Sequence, residues 1–221
     1  LSGAVLSSTL GATNTCTVSV YRAGNSQYLD SGSVDFTVTV VKANQTSLGS
    51  PSGITLTYGG SLDLTTLTYT GGSGTGAMSW TTATSGCTIT GTILTSTNSV
   101  GGSSCIVAAT KALDSNYNVS NTSNATIAIT KANQSTITIT STSATYGSTL
   151  ALTSTGGDGG GLLTWSVVSG ACAVSVTTLT PSAAGSCVIK VSKAASTNYN
   201  ASTSADTTVT IAKGAQSAVS F

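Results

Sequence analysis

The chain has 221 residues, a formal net charge of +1 and 6% charged residues, against roughly 25% in an average soluble domain. It has no His and no Glu, its six acidic residues are dispersed Asp, and Ser and Thr together make up 80 residues. So few and so scattered charges offer no basic patch for nucleic acid and no acid–base pair for catalysis, so neither nucleic-acid binding nor an enzyme is expected.

Hydrophobic residues, 39% of the chain, alternate with polar ones in short runs, which predicts β-strands and argues against disorder. In chain order the alternating apolar positions are Val34, Phe36, Val38 and Val40; Ile127 and Ile129; Ile137 and Ile139; Cys187, Ile189 and Val191; and Val209 and Ile211. A period of two buries one face of a sheet against a second sheet. About seven short strands in each 80–90 residues predict an all-β fold of tandem immunoglobulin-like β-sandwiches.

Three stretches of the chain read alike and define an internal repeat. Each starts at a Cys, continues to a Tyr, and passes through an alternating strand into a Lys that begins Lys-Ala-Asn-Gln or Lys-Gly-Ala-Gln. The matching positions are Cys16, Cys105 and Cys187; Tyr28, Tyr117 and Tyr199; and Lys42, Lys131 and Lys213. The step between the first two copies is 89 residues for all three positions, and between the last two it is 82. Such agreement fixes the register of a tandem array.

The front half of the repeat occurs twice and sets the domain boundaries. Trp80 precedes Cys87 by seven residues, as Trp165 precedes Cys172, whereas the next Cys follows after 18 residues in one copy and 15 in the other. We therefore expect complete domains at 46–134 and 135–216. Residues 1–45 are then the C-terminal half of a preceding repeat, and residues 217–221 begin a further one.

These motifs resemble those of bacterial Ig-like repeats, which are strung together in very large secreted surface proteins and adhesins. The resemblance rests on the Trp strand, on Ser-Gly-Cys-Thr-Ile and Gly-Ala-Cys-Ala-Val, on Gly-Ser-Ser-Cys-Ile-Val-Ala-Ala-Thr-Lys-Ala, and on Ser-Asn-Tyr-Asn before the final strand. It covers the whole chain and specifies a scaffold rather than a ligand. It implies an extracellular stalk, adhesin or filament component at the cell surface, without catalytic residues.

The five Cys have no metal-type spacing and no His to complete a zinc site. By the repeat, Cys87 is expected to pair with Cys105 and Cys172 with Cys187, each inside its own domain, with free buried thiols as the alternative. Such bonds persist outside the cytoplasm. Cys16 is left over, and two explanations stay open. Either the 221 residues are a piece of a longer chain, or strands of a neighbouring subunit complete residues 1–45.

Two kinds of aromatic residue recur at matching positions. Trp80 and Trp165 are expected in the core against the disulfides, the alternative being sugar-stacking platforms on the surface. Tyr28, Tyr117 and Tyr199 are expected to anchor the loop between the last two strands with buried rings. No cofactor or metal is expected, because the junctions lack the clustered carboxylates that calcium requires.

Two functions are compatible with these patterns. In the first, the repeats form a stalk, sheath or extracellular filament and associate with one another through surfaces of low charge. In the second, the repeats of an adhesin bind a glycan or a partner protein directly. No run of 18 apolar residues is present, so no transmembrane segment is expected.

Overall fold

The structure is a computed structural model that describes residues 5–219, so residues 1–4 and 220–221 of the predicted first and last segments lie outside the described residues. Contacts divide the chain into two compact units. The first comprises residues 5–54, Leu62–Leu94 and Cys105–Ile127. The second comprises Thr55–Ser61, Thr95–Ser104 and residues 128–219.

The first strands form a two-stranded antiparallel sheet, β1 (Thr15–Val20) with β2 (Val34–Thr39). The alternation in β2 predicts one buried face, but Val34 is 69% and Phe36 49% exposed. Two strands make no second layer, so the apolar side chains of this sheet stay in contact with solvent.

Residues 46–134 form two sheets, as the alternation predicts. One has the order β3-β9-β8-β5 and the other β4-β7-β6. The strands are β3 (Ile54–Thr57), β4 (Ser61–Asp63), β5 (Met78–Thr82), β6 (Cys87–Thr90), β7 (Ile93–Ser96), β8 (Cys105–Lys111) and β9 (Ser123–Thr130). A single 3-10 turn, Leu64–Thr66, follows β4 and is capped by the Asp63 carboxylate.

Residues 135–216 repeat this plan. The larger sheet has the order β11-β19-β17-β14, with β18 also paired to β17, and the smaller has the order β12-β16-β15. A short pair, β10 (Thr138–Ile139) with β13 (Ser154–Thr155), lies beside them. The remaining strands are β11 (Ser143–Thr145), β12 (Leu150–Ala151), β14 (Leu163–Gly170), β15 (Cys172–Ser175), β16 (Thr178–Pro181), β17 (Gly185–Lys193), β18 (Ser202–Thr203) and β19 (Thr207–Ala212).

The cores consist of the alternating residues. In β9 every second residue from Ser123 to Ile129 is buried, and in β17 Cys187, Ile189 and Val191 are fully buried. Their partners in the smaller sheets include Leu94 and Leu179, both also fully buried. The fold is therefore that of tandem immunoglobulin-like β-sandwiches, which confirms the predicted fold class.

Each sandwich has one disulfide that joins its two sheets. Cys87 of β6 is bonded to Cys105 of β8 with a Cα–Cα distance of 5.8 Å, and Cys172 of β15 to Cys187 of β17 with 6.0 Å. Cys16 is a free, partly exposed thiol whose Sγ lies 3.8 Å from Ser8 Oγ.

We expect the Cys87→Ala/Cys105→Ala double variant to lose about 3 kcal/mol of unfolding free energy, because the closed loop that restricts the unfolded chain is removed. Urea denaturation followed by tryptophan fluorescence measures this loss. The matched control is Cys16→Ala, which breaks no bond and leaves stability unchanged. An equal loss in both variants would contradict the assignment.

Candidate functional site

The Lys-Ala-Asn-Gln segment at residues 42–45 is paired with a loop rather than free. The loop, residues 112–118, joins β8 to β9. Ala43 N donates to Asn116 O at 2.9 Å, and Asn118 N donates to Ala43 O at 2.9 Å. Ala43 and Tyr117 form a parallel β-bridge. We call residues 42–45 and 131–134 the junction segments, and residues 112–118 and 194–200 the junction loops.

Side chains at both ends of the segment strengthen this pairing. Lys42 Nζ donates to Asp114 O at 2.6 Å. Gln45 Nε2 donates to Ala112 O at 3.0 Å and to Asn118 O at 2.8 Å. The Lys and Gln side chains thus satisfy three main-chain carbonyls of the loop, which would otherwise need water.

The second junction segment makes the same contacts, all inside the second compact unit. Ala132 N donates to Asn198 O at 2.9 Å, and Asn200 N donates to Ala132 O at 2.9 Å. Lys131 Nζ donates to Ser196 O at 2.7 Å. The carbonyl serves as acceptor whether the loop residue is Ser196 or Asp114, because only main-chain atoms accept the Lys bond.

The remaining side chains match as well. Gln134 Nε2 donates to Ala194 O at 3.2 Å and to Asn200 O at 2.7 Å. Asn200 Nδ2 donates to Asn133 Oδ1 at 2.9 Å, and Asn118 Nδ2 donates to Asn44 Oδ1 at the same distance. Both junctions therefore contain one Asn–Asn pair at the same register.

Each junction loop also contacts an earlier loop of its own compact unit. In the first unit, Ala12 N donates to Asn116 Oδ1 at 3.1 Å. In the second, Val100 N donates to Asn198 Oδ1 at 2.9 Å. Because Ala12 and Val100 lie upstream of the junction segments, the Asn side chain fixes the chain on both sides of each segment.

The conformation of residues 112–118 is held by one carboxylate. Asp114 Oδ1 accepts from Asn116 N at 2.9 Å and Tyr117 N at 2.8 Å, and Oδ2 accepts from Thr75 N at 2.5 Å. The Thr75 N–H, followed by the Asn116 N–H, lowers the Asp114 pKa to about 2. The second unit uses Asp158 instead, whose pKa is lowered chiefly by the Ser135 N–H.

The structure places the repeated Tyr residues in two environments. Tyr117 and Tyr199 are half-buried, and the Tyr199 ring meets the Tyr58 ring edge-on at 5.6 Å within the second unit. Tyr28 is 73% exposed, so the expected buried ring is wrong for this residue. The physical reason is that no junction segment within residues 5–219 covers the loop of Tyr28.

The two Trp residues also differ. Trp165 is 8% exposed and belongs to the core, whereas Trp80 is only half-buried. Trp165 lies opposite Val191, four residues along β17 from Cys187 and therefore about 13 Å away along the strand. The Trp thus shares the core of the disulfide without stacking directly on it.

A cavity of about 490 Å³ lies beside Trp80, in the first unit. Tyr69, Met78, Leu48 and Lys111 contribute to its lining. The Tyr69 hydroxyl and Trp80 Nε1 are buried atoms without a well-aligned hydrogen bond. Burial raises the pKa of Tyr69, an effect that the neighbouring Trp80 N–H partly offsets.

Sequence reasoning missed the Asn, Gln and Asp residues of the junctions. Their signal was present, because Asn-Tyr-Asn and Ala-Asn-Gln recur with the same step as the Cys residues. Among the described residues, no group of three His, Cys, Asp or Glu side chains is placed to hold a metal ion. None of the helices in residues 5–219 has the length and apolar character needed to cross a membrane.

Comparison with protein-family models and with curated proteins finds no match. Solved structures of similar fold include Drosophila N-cadherin EC1-4, at 10% identity and TM-score 0.39, matching 92% of this chain and 58% of that one. The tandem Ig repeats of Dlar match at 12% identity and TM-score 0.27, over 78% of this chain and 96% of that one. Mouse cadherin-23 EC22-24 matches at 14% identity and TM-score 0.32, over 90% and 74%.

The chain spans 58% of the length of the first two structures found, N-cadherin EC1-4 and protocadherin gamma B7 EC1-4. These identities and TM-scores are low, so no ligand, partner or activity is transferred from these proteins.

We expect the free energy of unfolding to fall as the pH drops from about 4 towards 2. The Asp114 pKa is lower in the folded chain than its usual 3.8, so its stabilising contribution is present above pH 4 and is lost as the carboxylate is protonated. In Asp114→Asn this acid-dependent loss should be smaller, as measured by urea denaturation at pH 7 and pH 2.5.

The matched control is Asp206→Asn, at an exposed carboxylate to which no N–H donates among the described residues. An identical acid-dependent loss in Asp114→Asn and the unsubstituted chain would show that the Thr75–Asp114 contact does not stabilise the junction.

Proposed function

We propose that the chain is part of the structural repeat region of an extracellular bacterial surface protein, a stalk, sheath or filament component without catalytic activity. One observation carries the proposal. The same network, from a Lys-Ala-Asn-Gln segment to the following Asn-Tyr-Asn loop, occurs twice with the same donors and acceptors. A repeated joint between neighbouring repeats is what a load-bearing array requires, because each repeat contacts only its neighbours.

The disulfides support an extracellular location. Cys105 and Cys187 are fully buried in bonded form, and such bonds persist in an oxidising compartment. Within this proposal, the repeats are residues 46–134 and 135–216, with parts of flanking repeats at 1–45 and 217–221. The junction segments at residues 42–45 and 131–134 are then the first pieces of the repeats that follow them.

The surface composition supports self-association. A formal charge of +1 over 221 residues gives little electrostatic repulsion between copies. Paired hydroxyls such as Ser79 with Thr110 at 2.9 Å, and Ser192 with Thr203 at 3.1 Å, occupy exposed strand faces. Faces of this kind allow lateral packing without burying unpaired charge.

A second candidate function, an adhesin that binds a glycan through its repeats, is favoured by the cavity beside Trp80. Its aromatic walls and unbonded polar atoms suit a sugar ring with hydroxyls. Glycan-array binding by the chain, weakened in Tyr69→Phe and unchanged in the control Tyr146→Phe, would favour this candidate over a purely structural role.

Electron microscopy of the native material tests the structural proposal. We expect extended rods or fibres with a repeat of one or two domain lengths, and loss of their order after reduction of the disulfides. Dispersed protein that binds glycans and never forms extended particles would contradict the proposal.

A further inference from the structure

The loop at residues 22–31, between β1 and β2, is folded like the junction loops. Asn25 N donates to Tyr28 O at 2.9 Å, as Asp114 N donates to Tyr117 O at 3.1 Å. Ser31 N donates to Arg22 O at 2.9 Å. The latter bond matches that from Ser120 to Lys111, also at 2.9 Å. We call residues 22–31 the acceptor loop.

The acceptor loop presents the same main-chain atoms as a junction loop, but without partners. At the step of 89 residues, Ala23, Asn25, Gln27 and Leu29 correspond to Ala112, Asp114, Asn116 and Asn118. In those residues, four carbonyls and the Asn118 N–H bind a junction segment. The equivalent carbonyls and the Leu29 N–H accept or donate no hydrogen bond within residues 5–219.

Exposure and shape agree with an unfilled site. Leu29 is 95% and Tyr28 73% exposed, whereas Tyr117 is half-buried beside its segment. A cavity of about 450 Å³ lies at the loop, with Arg22, Asn25 and Ser31 in its lining. A row of ordered, unpaired main-chain groups is a template for an added strand.

A third segment of the junction type is also unpaired. Residues 213–216, Lys-Gly-Ala-Gln, align with residues 42–45 and 131–134. Lys213 and Gln216 are exposed, whereas Lys42 and Gln45 are half-buried. No hydrogen bond within the described part of the chain involves residues 213–216.

The unpaired segment and the acceptor loop match in chemistry. In both formed junctions an Asn of the segment bonds an Asn of the loop, Asn44 with Asn118 and Asn133 with Asn200. At the equivalent positions the third segment has Ala215 and the acceptor loop has Leu29. An apolar residue faces an apolar residue, so neither side would leave an unsatisfied amide.

We infer that the acceptor loop of one copy binds residues 213–216 of a second copy. In the register of the formed junctions, Gly214 N donates to Gln27 O and Leu29 N donates to Gly214 O. Lys213 Nζ donates to Asn25 O, and Gln216 Nε2 donates to the Ala23 and Leu29 carbonyls. The two surfaces differ, so the contact is head-to-tail and propagates into a filament. This inference rests on the proposed structural role and names its partner.

Sedimentation equilibrium of the 221-residue chain at rising concentration tests the inference. A handful of hydrogen bonds of modest net strength predicts weak association, with a dissociation constant of about 0.1–1 mM. Gln216→Ala removes two of the bonds and should weaken association roughly tenfold. Leu29→Pro removes the N–H that binds Gly214 and should weaken it similarly, whereas the control Leu29→Ala keeps that N–H and associates as before.

A gain of affinity provides an independent test. The double variant Leu29→Asn/Ala215→Asn creates the Asn–Asn pair of the two formed junctions and should associate several-fold more tightly than either single variant. A chain that stays monomeric at about 1 mM, or one that associates equally well with Gln216→Ala and Leu29→Pro, would overturn the inference. Fibres in the native material would then still support the structural role, so the two failures are distinguishable.

Discussion

The pairing of each Lys-Ala-Asn-Gln segment with the next Asn-Tyr-Asn loop is the contact on which the repeat depends. Buried or ordered main-chain groups must find partners, and these loops fold so that their N–H and carbonyl groups point to one side. Ala43 and Ala132 supply the matching groups, with both of their main-chain bonds at 2.9 Å in each junction. Because the Lys and Gln side chains also bind loop carbonyls, a change in segment length would break several bonds together. The constancy of the 89- and 82-residue steps across three positions follows from this requirement.

The sandwiches between the junctions are held differently. Their small cores consist of alternating aliphatic residues such as Ile127 and Ile189, and one disulfide joins the sheets of each. The covalent link restricts the unfolded chain, which compensates for the few charges and the small size of each core. The spacing between the bonded cysteines, 18 residues in one repeat and 15 in the other, varies without moving the junction. Variation is thus tolerated in the body of the repeat, whereas the junction geometry is retained.

Much of this architecture can be predicted from the sequence. Alternation identifies the strands, and matched spacing identifies the repeat and the cysteine pairs. The burial of Tyr28 cannot be predicted in this way, because it depends on a segment that covers Tyr117 and Tyr199 but is not paired with the loop of Tyr28. The junction bonds are also hidden, since most of their acceptors are main-chain carbonyls that carry no sequence signal. Asp114 and Asp158 escape a repeat search as well, because they stabilise the two junctions from non-equivalent positions.

Amide hydrogen exchange at micromolar concentration is the most direct test that the segments belong to the loops they pair with. The account predicts that the N–H groups of Ala43 and Ala132 exchange at least roughly tenfold more slowly than that of Gly214, which has the same sequence position but no partner in the chain. Exchange of Ala43 and Ala132 as fast as that of Gly214 would show that the segments are free linkers, and would contradict the account.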